Sequence, residues 1–309
     1  MIGTSTVEVA VVGGGIGGLS AAVSLMSVGI DATVYERAPE LGEVGAGVSL
    51  QPNALRVYEQ IGILDDIKDI GSPMNRTLYL TAGGALVEQE GYTGIGVYRP
   101  DLIEVLKSKL PPENIKLGKQ AIGYTESGNK ALVEFADNTT ELADVVIAAD
   151  GIRSTLRRSL NSDNDGFVFS GLMAYRGVLP TSAVPDFPAE AAIDWMGGGR
   201  FIRAYRLRNG QLLNWIAVVP TDNIFSENWT LPGNPDELRK EFPSKNWDPL
   251  AINILKQVQT TARYALFDRD PILEWHRDRV VLLGDAAHPM LPHDRAGRKL
   301  CNRRRDCDR

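Results

Sequence analysis

Cysteine is nearly missing from this chain: two in 309 residues, Cys301 and Cys307, both at the extreme end. A chain with none earlier has no disulfide framework and fits a reducing compartment, so the cytoplasm is the expected location. Long apolar runs are also missing. Residues 7–30 come nearest to imitating a signal segment, but Met1–Thr6 carries no positive charge, and Glu8 and the glycines spoil a membrane span. Neither a targeting segment nor membrane association is expected. Excess positive charge is absent too. The net charge is −6, with no basic stripe interleaved with aromatics, which argues against a nucleic-acid partner. The one dense basic stretch runs from Asp294 to Arg309, with seven Lys/Arg against three Asp, which leaves −10 on residues 1–293. No metal is expected. The contents of 43% hydrophobic and 23% charged residues are those of an ordinary globular chain, long enough for two domains or one with an insertion.

What is present is organised around Val9-Ala10-Val11-Val12-Gly13-Gly14-Gly15-Ile16-Gly17-Gly18. A β-branched run enters a glycine cluster, and small residues at helical spacing leave it. Gly13, Gly15 and Gly18 match G-x-G-x-x-G: a tight turn, room for a pyrophosphate to approach, and close helix–strand packing. Free N–H groups and the helix dipole would then face the phosphates. The second strand, Ala32–Glu36, ends in an acid about 20 residues on, where Glu36 can accept from a ribose hydroxyl. This pattern reads as dinucleotide binding and leaves NAD and FAD equally open.

Helices are expected over Ser20–Val28, Asn53–Ile61 and from Arg99 to near Leu110; strands over Thr77–Leu80, Ala85–Gln89, Ile115–Leu117 and Leu132–Phe135. The second glycine cluster, Gly42 to Leu50, is either a flexible loop or backbone laid against a flat ring. Asp144–Ala149 is apolar throughout, as in a buried parallel strand, and runs into Asp150-Gly151-Ile152-Arg153-Ser154. From Gly166 to Trp275 the texture becomes β-pattern, with a helical piece at Pro235–Phe242. Arg279–Leu283 then returns to buried-strand composition before Gly284-Asp285-Ala286-Ala287-His288-Pro289. The fold class expected is α/β: a Rossmann-like domain of residues 1–71, 98–165 and 276–293, with an inserted, mostly antiparallel β-sheet domain of 72–97 and 166–275.

The ordered set of the glycine fingerprint with Glu36, Asp150-Gly151 with Ser154, and Gly284–Pro289 resembles the single-component FAD-dependent aromatic hydroxylases. That group includes salicylate, 3-hydroxybenzoate and 6-hydroxynicotinate monooxygenases and fungal secondary-metabolite enzymes. The resemblance implies that Gly13, Gly15 and Gly18 hold the FAD pyrophosphate and Glu36 the adenosine ribose, with Arg37 near the adenine. Ala46 and Gly47 would approach the cofactor, and Arg99 would contact the flavin. Gly284 and Asp285 would bind the ribityl chain, while Asp150 and Gly151 serve both FAD and the nicotinamide cofactor. Asp150 has a plainer role available as a helix cap, and His288 is read as part of the motif's turn rather than as a catalytic base.

The implied chemistry is reduction of flavin by NADH or NADPH, capture of O2 as a C4a-hydroperoxide, and hydroxylation of a phenolic or hydroxy-heteroaromatic ring. Arg176 and Tyr205 are the candidate catalytic residues: Arg176 to bind a carboxylate or phenolate or polarise the peroxide, Tyr205 to pass a proton. Either can equally be an ordinary sheet residue. Some relatives carry His four residues before that tyrosine; here the place is Phe201, so the pair is incomplete. Trp195, Trp215 and Phe201 would wall an apolar pocket, although aromatic strand residues are more often plain core. The glycine-rich turn and long helix that the family carries next are replaced, from Asp294, by Arg-rich sequence without apolar periodicity. A shifted reading frame or a mispredicted exon is the expectation for 294–309, with a basic arm or an Arg-rich nuclear signal as the other reading. A truncated, non-catalytic remnant or weak flavin-binding protein is the alternative to the enzyme. An NAD-dependent dehydrogenase would use the first motif and leave Gly284-Asp285 unexplained.

Overall fold

The computed structural model describes residues 7–42, 46–160, 166–222 and 231–291; the stretch 294–309 singled out above lies outside them. Residues 7–42, 102–160, 166–168 and 268–290 make one compact unit, and 46–101, 169–222, 231–267 and Leu291 make another.

In the first unit, six strands form one sheet in the order His276–Arg277, Val280–Leu282, Val145–Ala148, Glu8–Val12, Asp31–Tyr35, Ile115–Lys116. All neighbours run parallel except the first pair. Between the two strands of the fingerprint lies the helix Ile16–Ser27, which Gly29 ends at φ +80°. A three-stranded antiparallel sheet, Ala121–Ser127, Lys130–Phe135 and Thr140–Ala143, adds to the same core. Val12, Tyr35, Phe135, Val146, Leu156 and Leu282 meet there.

In the second unit an eight-stranded sheet has the order Leu231–Gly233, Thr261–Arg269, Phe167–Pro180, Leu212–Pro220, Arg200–Leu207, Ala191–Gly197, Arg76–Thr81, Leu86–Glu90. One face carries Trp195, Trp215, Tyr175 and Ile202, sealed by residues of the helices Pro235–Glu241 and Pro249–Gln257. Trp195 and Trp215 are fully buried, each worth roughly 4–6 kcal/mol of gross apolar burial before ordering entropy. The two tryptophans therefore belong to the core face of this sheet.

The second glycine cluster is not loop throughout. Gly47–Leu50 pairs with Gly94–Tyr98, which pairs with Ser72–Met74, in an antiparallel sheet. That pairing groups residues 46–71 and 98–101 with the β-rich unit, whereas the sequence-based division put them with the nucleotide domain. The outer boundaries fall near 168 and 268. Among the described residues no helix is long and apolar enough to cross a membrane.

Tyr35 stacks on Phe135 with ring centroids 5.1 Å apart. Burial, with help from Glu141 and Glu8, pushes its phenol up to about 12. A folded-state value above the unfolded value of about 10 means stability that is complete below pH 10 and lost as pH rises toward 12. Urea midpoints should therefore fall across that interval, and Tyr35→Phe should flatten the decline; an equal decline in the variant would refute the assignment.

Candidate active site

The parallel strands of the first unit end level with one another. Val12 pairs with Ala148 and Ala148 with Leu282, so Gly13, Asp150 and Gly284 leave the sheet side by side at its carboxyl edge. With strands about 4.8 Å apart, the first and third loops begin about 10 Å apart. This edge is where open α/β sheets take their ligands.

Each glycine of the fingerprint has its own reason. Gly13 has φ +112°, and a Cβ there would lie 2.3 Å from the Ala149 carbonyl oxygen. At Gly18 a Cβ would lie 1.9 Å from the Gly13 carbonyl oxygen. At Gly15 a Cβ would meet nothing within 4 Å. Two glycines are thus required by the protein itself, while the third faces open space. Gly15 is also the N-cap of Ile16–Ser27 and offers no side-chain acceptor, so the first N–H groups of that helix keep their capacity for an anion.

Glu36 folds back onto this loop: its Oε2 accepts from the Gly14 N–H at 2.6 Å and its Oε1 from the Ala38 N–H at 2.9 Å. A carboxylate has further lone pairs for ribose hydroxyls. Arg37 is exposed. Asp150 does cap the next helix, Thr155–Leu160, with Oδ2 accepting from the Thr155 N–H at 2.8 Å. Its Oδ1 is buried and has no hydrogen-bond partner among the described residues. Burial raises its carboxyl above the usual range, against hydrogen bonds from Ser154 and the helix N–H groups. Gly151 adopts φ +80° and Gly284 φ +60°.

Asp285 is exposed on the 3-10 turn Gly284–Ala286. A residue to which sequence reading assigned no role fixes this turn. Arg157, 1% exposed, donates through Nη1 to the carbonyls of Ala286 and Ala287, both at 3.2 Å. His288 closes the turn by donating its N–H to the Gly284 carbonyl at 2.9 Å, and its ring stacks on Trp275. The open space at Gly15, the uncapped helix end and the orphaned Asp150 Oδ1 together fit the phosphates and hydroxyls of a dinucleotide cofactor.

In the second unit a cavity of about 300 Å³ opens on the sheet face opposite the tryptophan core. Arg176, Phe201, Arg203, Tyr205, Asp194 and Tyr264 line it, with Ala46 and Gly47 among the backbone contributors. Gly47 donates its N–H to Asn214 Oδ1 at 2.8 Å, and a Cβ there would lie 2.6 Å from Asn214 Cγ. The protein's own asparagine therefore already accounts for this glycine. Arg99 opens the helix Arg99–Ser108 and donates its N–H to the Ala46 carbonyl.

The Arg176 guanidinium lies over the Tyr264 ring, 5.0 Å from its centroid. Burial raises the Tyr264 phenol, against the charges of Arg176 and Arg99. Tyr205 is 4% exposed, and burial raises its phenol as well. Asp194 is buried at 1% and takes two hydrogen bonds from Arg203, at 2.9 and 2.8 Å. Burial raises its carboxyl, and the Arg203 charge works against that. Sequence reading missed Asp194, Arg203, Asn214 and Tyr264. The alternation Phe201, Arg203, Tyr205 was the available signal, since it puts all three on one strand face.

The family profile described as FAD binding domain matches residues 6–298. A 3-amino-4-hydroxybenzoate 2-monooxygenase of Streptomyces platensis is 32% identical, over 94% of this chain and 76% of its own length. A 6-hydroxynicotinate 3-monooxygenase of Pseudomonas fluorescens is 31% identical, over 93% of this chain and 77% of its own. Klebsiella pneumoniae HpxO, solved with FAD and uric acid, superposes with a TM-score of 0.81 at 26% identity, covering 93% of this chain and 75% of that one. The chain belongs to the FAD-binding family of single-component aromatic hydroxylases. It is an FAD-dependent monooxygenase, and NAD(P)H is the reductant typical of that family.

The glycines separate folding from cofactor binding. Gly18→Ala should cost about 1–3 kcal/mol of stability through the clash with the Gly13 carbonyl. Gly15→Ala should leave the apoprotein's melting temperature unchanged yet weaken FAD binding by about tenfold or more, because its methyl fills the space the phosphates need. Calorimetric melting of apoprotein and flavin titration check both; equal behaviour of the two variants would contradict the division.

Proposed function

We propose that this chain hydroxylates a small phenolic or hydroxy-heteroaromatic compound in the cytoplasm, drawing electrons from NADH or NADPH and oxygen from O2. The cavity carries this reading. At about 300 Å³ it sits at the small end of ligand sites, which suits a single substituted ring, with Phe201 and Ile216 as apolar surface. The relatives named above act on small hydroxylated or amino-hydroxylated aromatic acids, which agrees.

In this reading the first unit is the FAD-binding domain and the second the substrate domain. Gly13, Gly15, Gly18, Glu36, Arg37, Asp150, Gly151, Gly284 and Asp285 hold FAD on the first unit. The chemistry FAD supplies when bound is acceptance of hydride from NAD(P)H and activation of O2. The chain's residues do the rest. Arg176 binds a carboxylate or phenolate oxygen and, by its charge, lowers the pKa of a phenol there. Tyr205 lines the cavity, and its phenol is the group assigned to give or take the substrate proton. The apolar walls exclude water, which protects the reaction from uncoupling.

A purified, yellow protein whose NAD(P)H oxidation is stimulated by one member of a phenol panel, with equimolar hydroxylated product, is the expected result; tight flavin binding without stimulated turnover would defeat the proposal. Because burial raises the Tyr205 phenol above its ordinary value of about 10, it keeps its proton through neutral and mildly alkaline pH. Tyr205→Phe should therefore slow kcat by roughly 10²–10⁴ without altering the shape of the pH profile between about 6 and 9. An alkaline limb in that range that disappears in the variant would show the phenol ionising and overturn its role as a proton-bearing group.

A further inference from the structure

The cavity floor is a single cross-strand row. Arg176 is the register partner of Ile216, Ile216 of Arg203, and Arg203 of Asp194. Directly opposed residues share a face, so the row reads cation, apolar, cation, anion on the cavity side. Two strand spacings of about 4.8 Å put the stems of the two arginines about 10 Å apart, with Ile216 between them.

The two arginines are not equivalent. Among the described residues no carboxylate pairs with Arg176, and its Nε is buried without a hydrogen bond. Arg203 is neutralised by Asp194, but in an unusual way: a single nitrogen, Nη1, serves both carboxylate oxygens. The strongest arginine–carboxylate pairs are fork to fork, using two nitrogens in parallel. Here Nε and Nη2 are left over. They meet no protein acceptor among the described residues, and neither is among the sealed, unpartnered polar atoms. The side chain keeps 19% exposure, and it lines the cavity. A pair kept for stability alone is poorly explained by such a geometry, since burying two charges often costs as much as their attraction returns.

We infer that Arg203, held in place by Asp194, is the specificity-determining residue of this cavity. Its Nε/Nη2 edge receives a second acceptor group of the substrate ring, on the side opposite the group held by Arg176, with Ile216 under the ring. The inference rests on reading the cavity as the substrate site. A six-membered ring with an oxygen at each end of its long axis, and a hydrogen bond of about 2.9 Å to each, spans roughly 11 Å between donors, comparable to the spacing of the two stems. Charge assigns the ends. The unneutralised Arg176 takes an anionic group, a carboxylate or phenolate. The neutralised Arg203 takes an uncharged acceptor: a hydroxyl, a carbonyl or a ring nitrogen.

Binding to the flavin-loaded protein, measured by titration calorimetry with benzoate and 4-hydroxybenzoate as probes, tests this without turnover. The wild type should bind 4-hydroxybenzoate about tenfold more tightly than benzoate, as a charge-assisted hydrogen bond predicts. The double variant Asp194→Asn/Arg203→Gln leaves no lone buried charge. It should bring that ratio to about one while changing benzoate affinity by less than about threefold. Arg203→Lys, which keeps the charge but loses the planar edge, should do the same. Arg176→Gln should weaken both probes alike. A wild type that does not discriminate, a double variant that keeps the ratio, or one that loses both probes equally would each overturn the assignment. The two readings fail separately. A collapsed ratio with no probe-stimulated NAD(P)H oxidation upholds Arg203 and counts against the hydroxylase. Turnover whose kcat/KM for both probes responds equally to the double variant counts against Arg203 alone.

Discussion

Level strand ends are the constraint on which the first unit depends. Because Val12, Ala148 and Leu282 share one register line, three loops distant in sequence emerge as neighbours. The Gly13 carbonyl must then pass so close to the next helix that residue 18 has no room for a methyl group, and Gly13 itself must turn under the Ala149 carbonyl. Backbone against backbone leaves the helix N-terminus open at Gly15. The same edge is stiffened by Arg157, whose buried guanidinium replaces the hydrogen bonds that the turn carbonyls of Ala286 and Ala287 lose to burial. Asp150 divides its two oxygens between jobs: one caps a helix and the other is left without a protein donor.

The second unit depends on the two-residue period of its strands. On Ala191–Gly197, Trp195 points into the core and Asp194, its immediate neighbour, points into the cavity. On Arg200–Leu207, Ile202 and Ala204 go to the core while Phe201, Arg203 and Tyr205 go the other way. One face is apolar and sealed by two helices; the other is polar yet also buried. Charged residues that alternate with apolar ones read in sequence as the exposed face of a strand, whether or not that face is covered. This is why the charged members of the cavity floor could be taken for surface residues.

What could be read from the sequence follows from how local each determinant is. The glycine fingerprint, Glu36, and the turn after Leu283 are encoded within a few residues, and the structure shows the local conformations they demand. The helices after Gly15 and Arg99 fell within a turn of their expected ends because Gly29 and Pro111 are strong stops. By contrast, Trp195 and Trp215 read either as pocket wall or as plain core, and they are core; nothing local tells which face of a doubly buried strand meets a cavity. The helix Leu64–Ile70 and the strands Ala121–Ser127 and Thr140–Ala143 were not anticipated. The Arg203–Asp194 pair joins two adjacent strands, and its partner choice is settled by register, which a list of residues does not contain.

Two glycines show how this cavity gains its definition. A Cβ at Gly96 would lie 2.8 Å from Tyr205 Cδ2, and a Cβ at Gly47 would lie 2.8 Å from Asn214 Oδ1. Both glycines belong to the small sheet of Gly47–Leu50 and Gly94–Tyr98. The backbone of that sheet is therefore a seat for two cavity side chains, and Tyr205 also packs in an apolar cluster with Met74, Ala192 and Leu207. The Arg203 guanidinium also lies over the Tyr205 ring, 5.6 Å from its centroid. A phenol packed against main chain, apolar side chains and a guanidinium that is itself fixed by Asp194 has little rotameric freedom left to lose on binding. Its hydroxyl can then be placed to within the tolerance that proton transfer needs. The polar row and the glycines are thus two halves of one arrangement. The sheet register fixes the charges, and the missing Cβ atoms fix the phenol beside them.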